Sequence, residues 1–340
     1  MKNITTIDAI KKYNWPYYKT KVCELTLTYR CNAKCLFCYT PEENTSLHTK
    51  NEIDIKMAGR YILDSYKSGS RIIQIIGGEP TVYPELAEII KIASRIGYPV
   101  IQIVTNGQML KDFNYIRMLK DAGLNTITFS IHSDNNKIHD KIVGINGAFN
   151  NIMMAIYNAI KLDIYITVGT AINALNYKRI PHIAKFIYEN FGIETFHFIA
   201  LHFIGKAGKK SKELKVSYDE TLPYLKEALN YLSTKKILPI SPILSNYQPC
   251  ILPGFEHLIT DWKIPFNDDD LYLPETIYKE KMYTMITNTL RMKGNNCKKC
   301  LYYKICAGFE KKYFETYGDE EFKPLKSISK PFKIGVFYER

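Results

Sequence analysis

The stretch Val22-Cys-Glu-Leu-Thr-Leu-Thr28, followed by Cys31-Asn-Ala-Lys-Cys35-Leu-Phe-Cys38, decides both the fold and the chemistry of this chain. Its first part is apolar and β-branched at most positions, which favours a strand. Three cysteines then follow within one short loop, which can turn their side chains toward one point. Thiolates grouped in this way hold soft metals or iron–sulfur clusters. We therefore expect a metal site at the end of the first strand.

Strand-like and helix-like runs alternate along the chain from this point. The predicted strands are Val22–Thr28, Arg71–Ile76, Val100–Val104, Thr126–Ile131, Ile164–Thr170 and Thr195–Leu201. The predicted helices are Ile53–Lys67, Pro84–Ile96, Met109–Ala122, Phe149–Leu162, Ile180–Asn190 and Tyr218–Leu232. Such alternation predicts a parallel sheet with right-handed crossover helices. Six units are fewer than the eight of a closed TIM barrel, so the expected α/β fold is a partial (β/α)6 TIM barrel.

The alternation stops after Lys236, which divides the chain. A length of 340 residues is enough for two domains. We expect an N-terminal extension over residues 1–20, the partial barrel over residues 21–236, and a small C-terminal cysteine-rich domain with its tail over residues 237–340.

Composition and charge narrow the protein class. Lys and Arg number 46 against 34 Asp and Glu, but Asn, Ile and Tyr are abundant as well, so the charge reflects a general compositional bias and a nucleic-acid partner is not expected. The apolar stretch Phe196–Ile204 is too short to span a bilayer, and the N-terminus has no apolar signal region. We expect a cytoplasmic protein without a membrane segment. Clustered cysteines in such a chain indicate metal or redox chemistry before disulfides.

The CxxxCxxC loop at the end of the first barrel strand resembles that of the radical S-adenosylmethionine (radical SAM) superfamily. The resemblance implies a [4Fe–4S] cluster held by Cys31, Cys35 and Cys38, with SAM chelating the remaining iron. Reduction of that cluster would cleave SAM to a 5′-deoxyadenosyl radical, which abstracts a substrate hydrogen. A zinc site without a nearby fourth ligand is the alternative for this loop.

Further motifs stand at successive predicted strand ends, where a barrel places its active site. They are Gly77-Gly78-Glu79-Pro80, Thr105-Asn106-Gly107, Ser130-Ile-His132 and His139-Asp-Lys141-Ile-Val143-Gly144, with Gly205-Lys206-Ala207 after the sixth strand. His132 replaces the usual acid of the family, and Val143 replaces a frequent arginine whose place Lys141 would take. The resemblance assigns SAM contacts to Phe37, Tyr39, Gly77, Gly78, Glu79, Pro80, Thr105, Asn106, Ser130, His132, Lys141, Thr170 and Asn173. Thr170, His132 and His202 are also candidate substrate contacts.

A second cysteine group stands near the C-terminus. Cys297, Cys300 and Cys306, together with Cys250, supply the four thiolates of a complete cluster shell. Their spacing resembles that of the SPASM and Twitch extensions of radical SAM enzymes, and no cysteine follows Cys306, so the resemblance implies one auxiliary [4Fe–4S] cluster. Structural zinc is one alternative, and a three-ligand cluster with Cys250 free or displaced by substrate is another.

The eighth cysteine, Cys23, lies in the first predicted strand. It is either a small buried apolar residue or, if it points into the barrel, a hydrogen-atom donor to a substrate radical.

The resemblance implies an oxidoreductase-like radical SAM enzyme, and peptide maturation is the favoured activity: oxidation, cross-linking or epimerisation of a ribosomally made peptide or protein. The alternative is oxidation or cyclisation of a small molecule or nucleotide, and the third possibility is a cluster-bearing scaffold without catalysis. Two observations bear on this choice. Few residues precede the barrel for a leader-binding domain, which weakens the expectation of a peptide substrate. The segment Ile334–Arg340 lacks the GGRR-like tail of the GTP cyclase of molybdenum-cofactor synthesis, which argues against that cyclase activity. An electron donor such as ferredoxin or flavodoxin is the expected partner.

Overall fold

The computed structural model describes residues 21–40, 52–235, 244–262, 270–272, 280–281 and 290–330. The predicted N-terminal extension and the C-terminal stretch Ile334–Arg340 lie outside these residues.

One sheet joins nine of the described strands in the spatial order β7-β6-β5-β4-β3-β2-β1-β8-β9. The first seven are mutually parallel: β1 Val22–Thr28, β2 Ile72–Gly77, β3 Val100–Thr105, β4 Thr126–Ser130, β5 Tyr165–Ile172, β6 Thr195–Ala200 and β7 Leu244–Ser245. Two short strands extend the β1 edge, β8 Asp270–Tyr272 in parallel and β9 Glu280–Lys281 in antiparallel pairing. The expected partial (β/α)6 TIM barrel is confirmed.

Helices connect these strands. In chain order they are α1 Ile55–Lys67, α2 Leu86–Ile96, α3 Phe113–Ala122, α4 Asn136–Val143, α5 Ala148–Lys161, α6 Ile180–Phe191, α7 Gly205–Lys209, α8 Ser211–Leu214 and α9 Tyr218–Thr234. Side-chain caps fix several starts: the Asp54 carboxylate accepts from Lys56 N–H at 2.9 Å, and Ser217 and Glu220 form a reciprocal capping box at α9. Among the described residues, no helix is both long and apolar enough to cross a membrane.

The two faces of the parallel strands differ in polarity. On β1, Cys23, Leu25 and Leu27 belong to the buried core that packs under the helices. Alternate strand residues point to opposite faces, so Glu24 points the other way, into the barrel. Strand register places this residue in a polar row that crosses five strands: Glu24, Gln74, Gln102, Thr126 and Tyr165. Barrel interiors are usually filled with branched apolar side chains, so this row is a distinctive feature of the chain.

The cysteine-rich C-terminal region adds a two-stranded antiparallel sheet, β10 Arg291–Met292 with β11 Phe309–Glu310, followed by α10 Lys311–Tyr317. A buried ion pair joins it to the barrel end. The Arg291 guanidinium donates to the Asp261 carboxylate at 2.5 Å and to Asn246 Oδ1 at 3.2 Å. The Asn246 side-chain amide in turn donates to the carbonyl of Ala200, at the end of β6.

A second connection uses a residue that the sequence analysis considers for substrate binding. His202 Nδ1 pairs with the carboxylate of the buried Glu310, and Phe203 N–H donates to the same carboxylate at 3.2 Å. His202 therefore joins the barrel to the C-terminal region. The tail after α10 folds back in the same place, where Phe322 stacks on Phe309 with ring centroids 3.9 Å apart.

The close approach of β2 to the cysteine loop yields a stability prediction. A Cβ on Gly78 would lie 2.2 Å from the Tyr29 carbonyl oxygen and 2.3 Å from that of Arg30. We expect Gly78→Ala to lower the free energy of unfolding by about 3 kcal/mol, the upper end of overpacking effects, because the opposing atoms are backbone. Urea denaturation measures this. The control is Gly59→Ala inside α1, where the nearest side chain is 3.9 Å away and alanine should stabilise by up to about 1 kcal/mol. Equal midpoints for the two variants would contradict the described packing.

The Arg291–Asp261 pair gives a second stability prediction. The Arg291 side chain is 1% exposed, so Arg291→Met leaves the Asp261 carboxylate without its counter-ion. We expect a loss of about 3 kcal/mol in unfolding free energy, as for other broken buried pairs. Lys312→Met is the matched control, because it breaks the Lys312–Glu315 pair, in which both side chains are more than half exposed. That change should cost less than about 1 kcal/mol, and a comparable loss in both variants would show that the Arg291 pair is not special.

Candidate functional site

The loop carrying Cys31, Cys35 and Cys38 is held by backbone contacts from three other parts of the barrel. From β2, the N–H of Gly78 donates to the Thr28 carbonyl at 2.8 Å and that of Glu79 to the Arg30 carbonyl at 2.8 Å. The end of α4 accepts from Lys34 N–H and Leu36 N–H, both at 2.9 Å. The start of α7 donates through Lys206 N–H to the Cys38 carbonyl at 2.8 Å.

Gly205 explains how α7 comes so near this loop. Its φ of +55° lies in the left-handed region, and a Cβ there would lie 2.1 Å from the Tyr39 carbonyl oxygen. The Gly205-Lys206-Ala207 motif therefore has a structural role beside the cysteines.

The three thiols lie near one another in a partly buried environment. Burial raises the pKa of Cys31 to about 12, with a further contribution from Glu79, while the ammonium of Lys206 acts in the opposite direction. Burial also raises the pKa of Cys35, to which Cys31 and Cys38 both contribute. Without metal these two thiols are thus protonated at neutral pH, and metal or cluster binding would release their protons.

The spacing of the thiols bears on the kind of metal centre. Within the described ranges, no three Cys, His, Asp or Glu side chains lie close enough together to share a single metal ion. A cluster accepts each thiolate on a different iron atom, so thiols that are close enough to raise one another's pKa fit an iron–sulfur cluster.

Glu79 connects the ends of β2 and β3. It is 1% exposed, and its carboxylate accepts from the hydroxyls of Thr81 and Thr105, both at 2.6 Å, and from Asn106 N–H at 2.7 Å. Burial raises the pKa of this carboxyl group, against the lowering effect of these hydrogen bonds. The family resemblance assigns Glu79 and Thr105 to SAM binding, but in the structure the Thr105 hydroxyl donates a hydrogen bond to the Glu79 carboxylate.

Asn106 is the member of this group that reaches the cysteine loop. Its side-chain amide donates to Asn32 Oδ1 at 2.8 Å and lies 3.9 Å from the Cys31 sulfur. An amide N–H beside a thiolate stabilises the charged form of the sulfur, so Asn106 is placed to support the metal-bound state of Cys31.

Phe37 and His132 form an aromatic pair beside the same loop, with ring centroids 4.5 Å apart in an edge-to-face arrangement. His132 Nδ1 accepts from Ala171 N–H at 3.3 Å, and its ring is parallel to that of His139. Burial lowers the pKa of His132 well below its usual value, with a contribution from His139. An imidazole is neutral or positively charged, so His132 cannot supply the negative charge of the acid that it replaces.

Several other predicted contacts fall into different positions. Asn173 is fully buried, and its side-chain amide forms hydrogen bonds with the backbone of its own turn. Its N–H donates to the Ala171 carbonyl at 3.1 Å, and its Oδ1 accepts from Leu175 N–H at 2.9 Å. Lys141 is exposed on α4, whereas Ser130 ends the inner face of β4. Tyr39 is half exposed, and its hydroxyl lies 3.5 Å from the Gly77 carbonyl oxygen. Pro80 begins the short 3₁₀ turn Pro80–Val82.

Two candidates face away from the barrel interior. Thr170 lies between Val168 and Ile172, which are core residues, so it shares their face, and its hydroxyl donates to the Ile131 carbonyl at 2.7 Å. Cys23 shares the core face of Leu25 and Leu27. These placements do not fit Thr170 as a SAM or substrate contact, or Cys23 as a hydrogen donor. For Cys23 the structure supports the alternative of a small buried apolar residue.

The barrel interior carries polar groups that the sequence analysis does not single out. Gln102 Nε2 donates to Thr128 Oγ1 at 2.5 Å. Within the described part of the chain, Gln102 Oε1 and Thr167 Oγ1 are buried without a hydrogen-bond partner. The strand register places Gln102, Thr128 and Thr167 on the same inner wall of the barrel, and their spacing in the sequence does not indicate this.

The second cysteine group lines one cavity. Cys250, Cys297, Cys300 and Cys306 all line the same small pocket. Burial raises the pKa of Cys250, and each of the other three thiols adds to the rise, so Cys250 lies with the group despite its distance in sequence. These four residues could hold one cluster with a complete thiolate shell.

Several known proteins are similar to this chain in sequence. Residues 25–187 match the model of the Radical SAM superfamily. A probable GTP 3′,8-cyclase of Saccharolobus solfataricus is 30% identical over 217 residues, which cover 63% of this chain and 66% of that protein. The GTP 3′,8-cyclase of Aquifex aeolicus is 31% identical over 219 residues, 64% of this chain and 67% of that protein. The chain thus spans slightly less than two thirds of the Saccharolobus relative.

Solved structures share the fold over more of the chain. SuiB of Streptococcus suis bound to S-adenosylmethionine covers 94% of this chain and is itself covered to 80%, with a TM-score of 0.62 and 15% identity. The enzyme anSMEcpe with bound AdoMet and a peptide covers 90% of this chain and is covered to 93%, with a TM-score of 0.60 and 12% identity. The sequence relatives and the matched family model together show that this chain belongs to the radical SAM superfamily.

Proposed function

We propose that this protein is an enzyme that uses SAM and a [4Fe–4S] cluster to abstract a hydrogen atom from its substrate. The observation that carries the proposal is the partly buried three-cysteine loop at the carboxyl ends of the barrel strands. Both cofactors are implied by family membership, and the loop fits the cluster because its thiols are close enough for Cys31 and Cys38 to raise the pKa of Cys35. When bound, the cluster supplies the electron that cleaves SAM to a 5′-deoxyadenosyl radical.

The chain's own residues prepare this site. Cys31, Cys35 and Cys38 would hold the cluster, and Asn106 lies near the first of these sulfurs. Lys206 is buried beside the loop, where its charge offsets the negative charge of thiolates. Phe37 and His132 offer an apolar, neutral surface suited to an adenine ring.

For the substrate we infer a small polar molecule, with nucleotides as the leading class. The relatives that reach 30% identity are named GTP 3′,8-cyclases, whereas the peptide-bound structures share 12–15% identity and support the fold alone. The polar inner wall agrees with this class. Gln102 Oε1 and Thr167 Oγ1 need partners that a hydroxyl- and amine-bearing substrate can supply. The sequence alone ranks a peptide substrate above a small molecule, and these observations reverse that ranking.

Peptide or protein modification is the second candidate. SuiB bound to its precursor peptide SuiA covers 95% of this chain, with a TM-score of 0.63. This likeness extends beyond the barrel into the cysteine-rich region, which the alignments to the cyclases, at 63–64% of the chain, do not cover in full.

The second cysteine group would hold one auxiliary [4Fe–4S] cluster. Its four thiols surround one cavity, so no iron would be left open for substrate if all four bind. We infer a role in accepting an electron from the substrate radical. Reduction of the first cluster would come from a ferredoxin- or flavodoxin-like donor.

Iron counting tests both cluster assignments. Anaerobically purified protein should contain about eight irons per chain, because each of two cubane clusters holds four. The triple Cys31/Cys35/Cys38→Ala variant and the quadruple Cys250/Cys297/Cys300/Cys306→Ala variant should each retain about four. The control is Cys23→Ala, which should keep all eight because Cys23 lies on the core face. Zinc in place of iron at the C-terminal group would contradict the auxiliary cluster alone.

Product formation tests the reaction and separates the substrate classes. In the presence of SAM and reduced flavodoxin, nucleotides or similar polar molecules should raise the yield of 5′-deoxyadenosine above the yield without substrate. Liquid chromatography with mass spectrometry measures both yields. Deuterium from labelled substrate should appear in that product. The triple Cys31/Cys35/Cys38→Ala variant should give none. Stimulation by peptides alone would favour the second candidate, and no 5′-deoxyadenosine at all would leave a cluster-bearing scaffold.

A further inference from the structure

The cavity of the four C-terminal cysteines contains one more polar side chain. Gln248, two positions before Cys250, lines the cavity and is 1% exposed. Both its Nε2 and its Oε1 are buried without a hydrogen-bond partner in the described residues. Leaving such a group unsatisfied costs about 1–3 kcal/mol, so its placement calls for a partner inside the cavity.

The backbone keeps this side chain in place. The Gln248 carbonyl accepts from Ile251 N–H at 3.0 Å and Leu252 N–H at 3.2 Å, forming the turn that also carries Cys250. Two residues earlier, Asn246 is tied to Arg291 and to the end of β6. The turn that carries Cys250 therefore also carries Gln248, and both residues line the same cavity.

The groups facing the carboxamide decide which partner it has. Four cysteine sulfurs line the cavity, and cysteine sulfurs or the sulfides of a cluster are acceptors that a carboxamide N–H can reach. Lys293 and Lys323 also line it, and no carboxylate is among the described lining residues. The amide N–H is thus a neutral donor near the sulfurs, where Asp319 and Lys293 have opposite effects on the pKa of Cys297.

We propose that Gln248 donates an N–H···S hydrogen bond to the auxiliary iron–sulfur cluster and raises its reduction potential. This inference rests on the proposed function of the four-cysteine site. A hydrogen bond to cluster sulfur is stronger in the reduced, more negative state, so it stabilises that state. Gln248 is accordingly a positioning and tuning residue, and its effect is to make the cluster a better electron acceptor.

The test isolates the auxiliary cluster in the triple Cys31/Cys35/Cys38→Ala protein and measures its midpoint potential by titration monitored with electron paramagnetic resonance. Gln248→Met keeps the length of the side chain and removes the N–H donor. It should lower the equilibrium constant for reduction of the cluster about tenfold, which lowers the midpoint potential by about 59 mV for one electron. Gln248→Glu adds a negative charge and should lower the potential further. Iron content should stay at about four.

The matched control is Gln102→Met, which makes the same exchange at a buried glutamine in the barrel wall and should not shift the potential. A second readout is the exchangeable proton coupled to the cluster: it should be present with Gln248 and absent in the Met variant when spectra are compared in H₂O and D₂O.

The outcomes distinguish the inference from the function beneath it. Absence of an iron–sulfur signal in the protein with Gln248 intact would overturn the auxiliary cluster itself. A full signal with unchanged potential and unchanged proton coupling in both Gln248 variants would overturn the hydrogen bond alone. Loss of iron from both variants, with native circular dichroism, would make Gln248 a structural residue and equally overturn a tuning role.

Discussion

Close approach of backbone to backbone around the cysteine loop is the constraint on which the rest of this structure depends. The loop is held where Gly78 and Gly205 allow β2 and α7 to come within hydrogen-bond distance of its carbonyls. Any side chain at these two positions would occupy the space of an oxygen atom. The strand ends therefore do more than surround the cysteines: they define the path of the loop before any cofactor binds.

A division between the two faces of the strands follows from the same barrel geometry. The outer face of β1 is apolar and merges with the helix layer, whereas the inner face carries Glu24 in a polar row across five strands. The apolar layer stabilises the barrel, so the inner wall is free to be polar. Alternate residues of the same strands thus supply the core and the polar wall that we propose faces the substrate.

Much of the fold could be predicted because its signals are local. Apolar runs and the alternation of elements identify six strand–helix units within a few residues of their observed bounds. The short strands β7, β8 and β9 could not be found in this way, since two or three residues carry no periodicity and their pairing is fixed by tertiary contact. The cysteines could be grouped by spacing, and even the distant Cys250 was assigned by counting.

The roles of individual side chains were harder to predict. Motif resemblance assigns Glu79 and Asn173 to a ligand, yet their polar groups are largely engaged by neighbouring protein atoms. Thr170 and Cys23 required the strand register, because a shift of one residue changes the face. Arg291 and Gln248 carry no motif at all, and only three-dimensional proximity shows that one holds the C-terminal region to the barrel and the other faces its cysteines.

The origin of the four cysteines in two separate segments has a consequence for how this protein is made. Cys250 lies on the turn next to β7, whereas Cys297, Cys300 and Cys306 come much later in the chain. The auxiliary cluster that we propose would bridge them and close a long loop, as a disulfide does, and so would reduce the entropy of the unfolded chain. Maturation of the C-terminal region would then be coupled to iron and sulfide supply, and iron starvation would act on the lifetime of the polypeptide as well as on its redox chemistry.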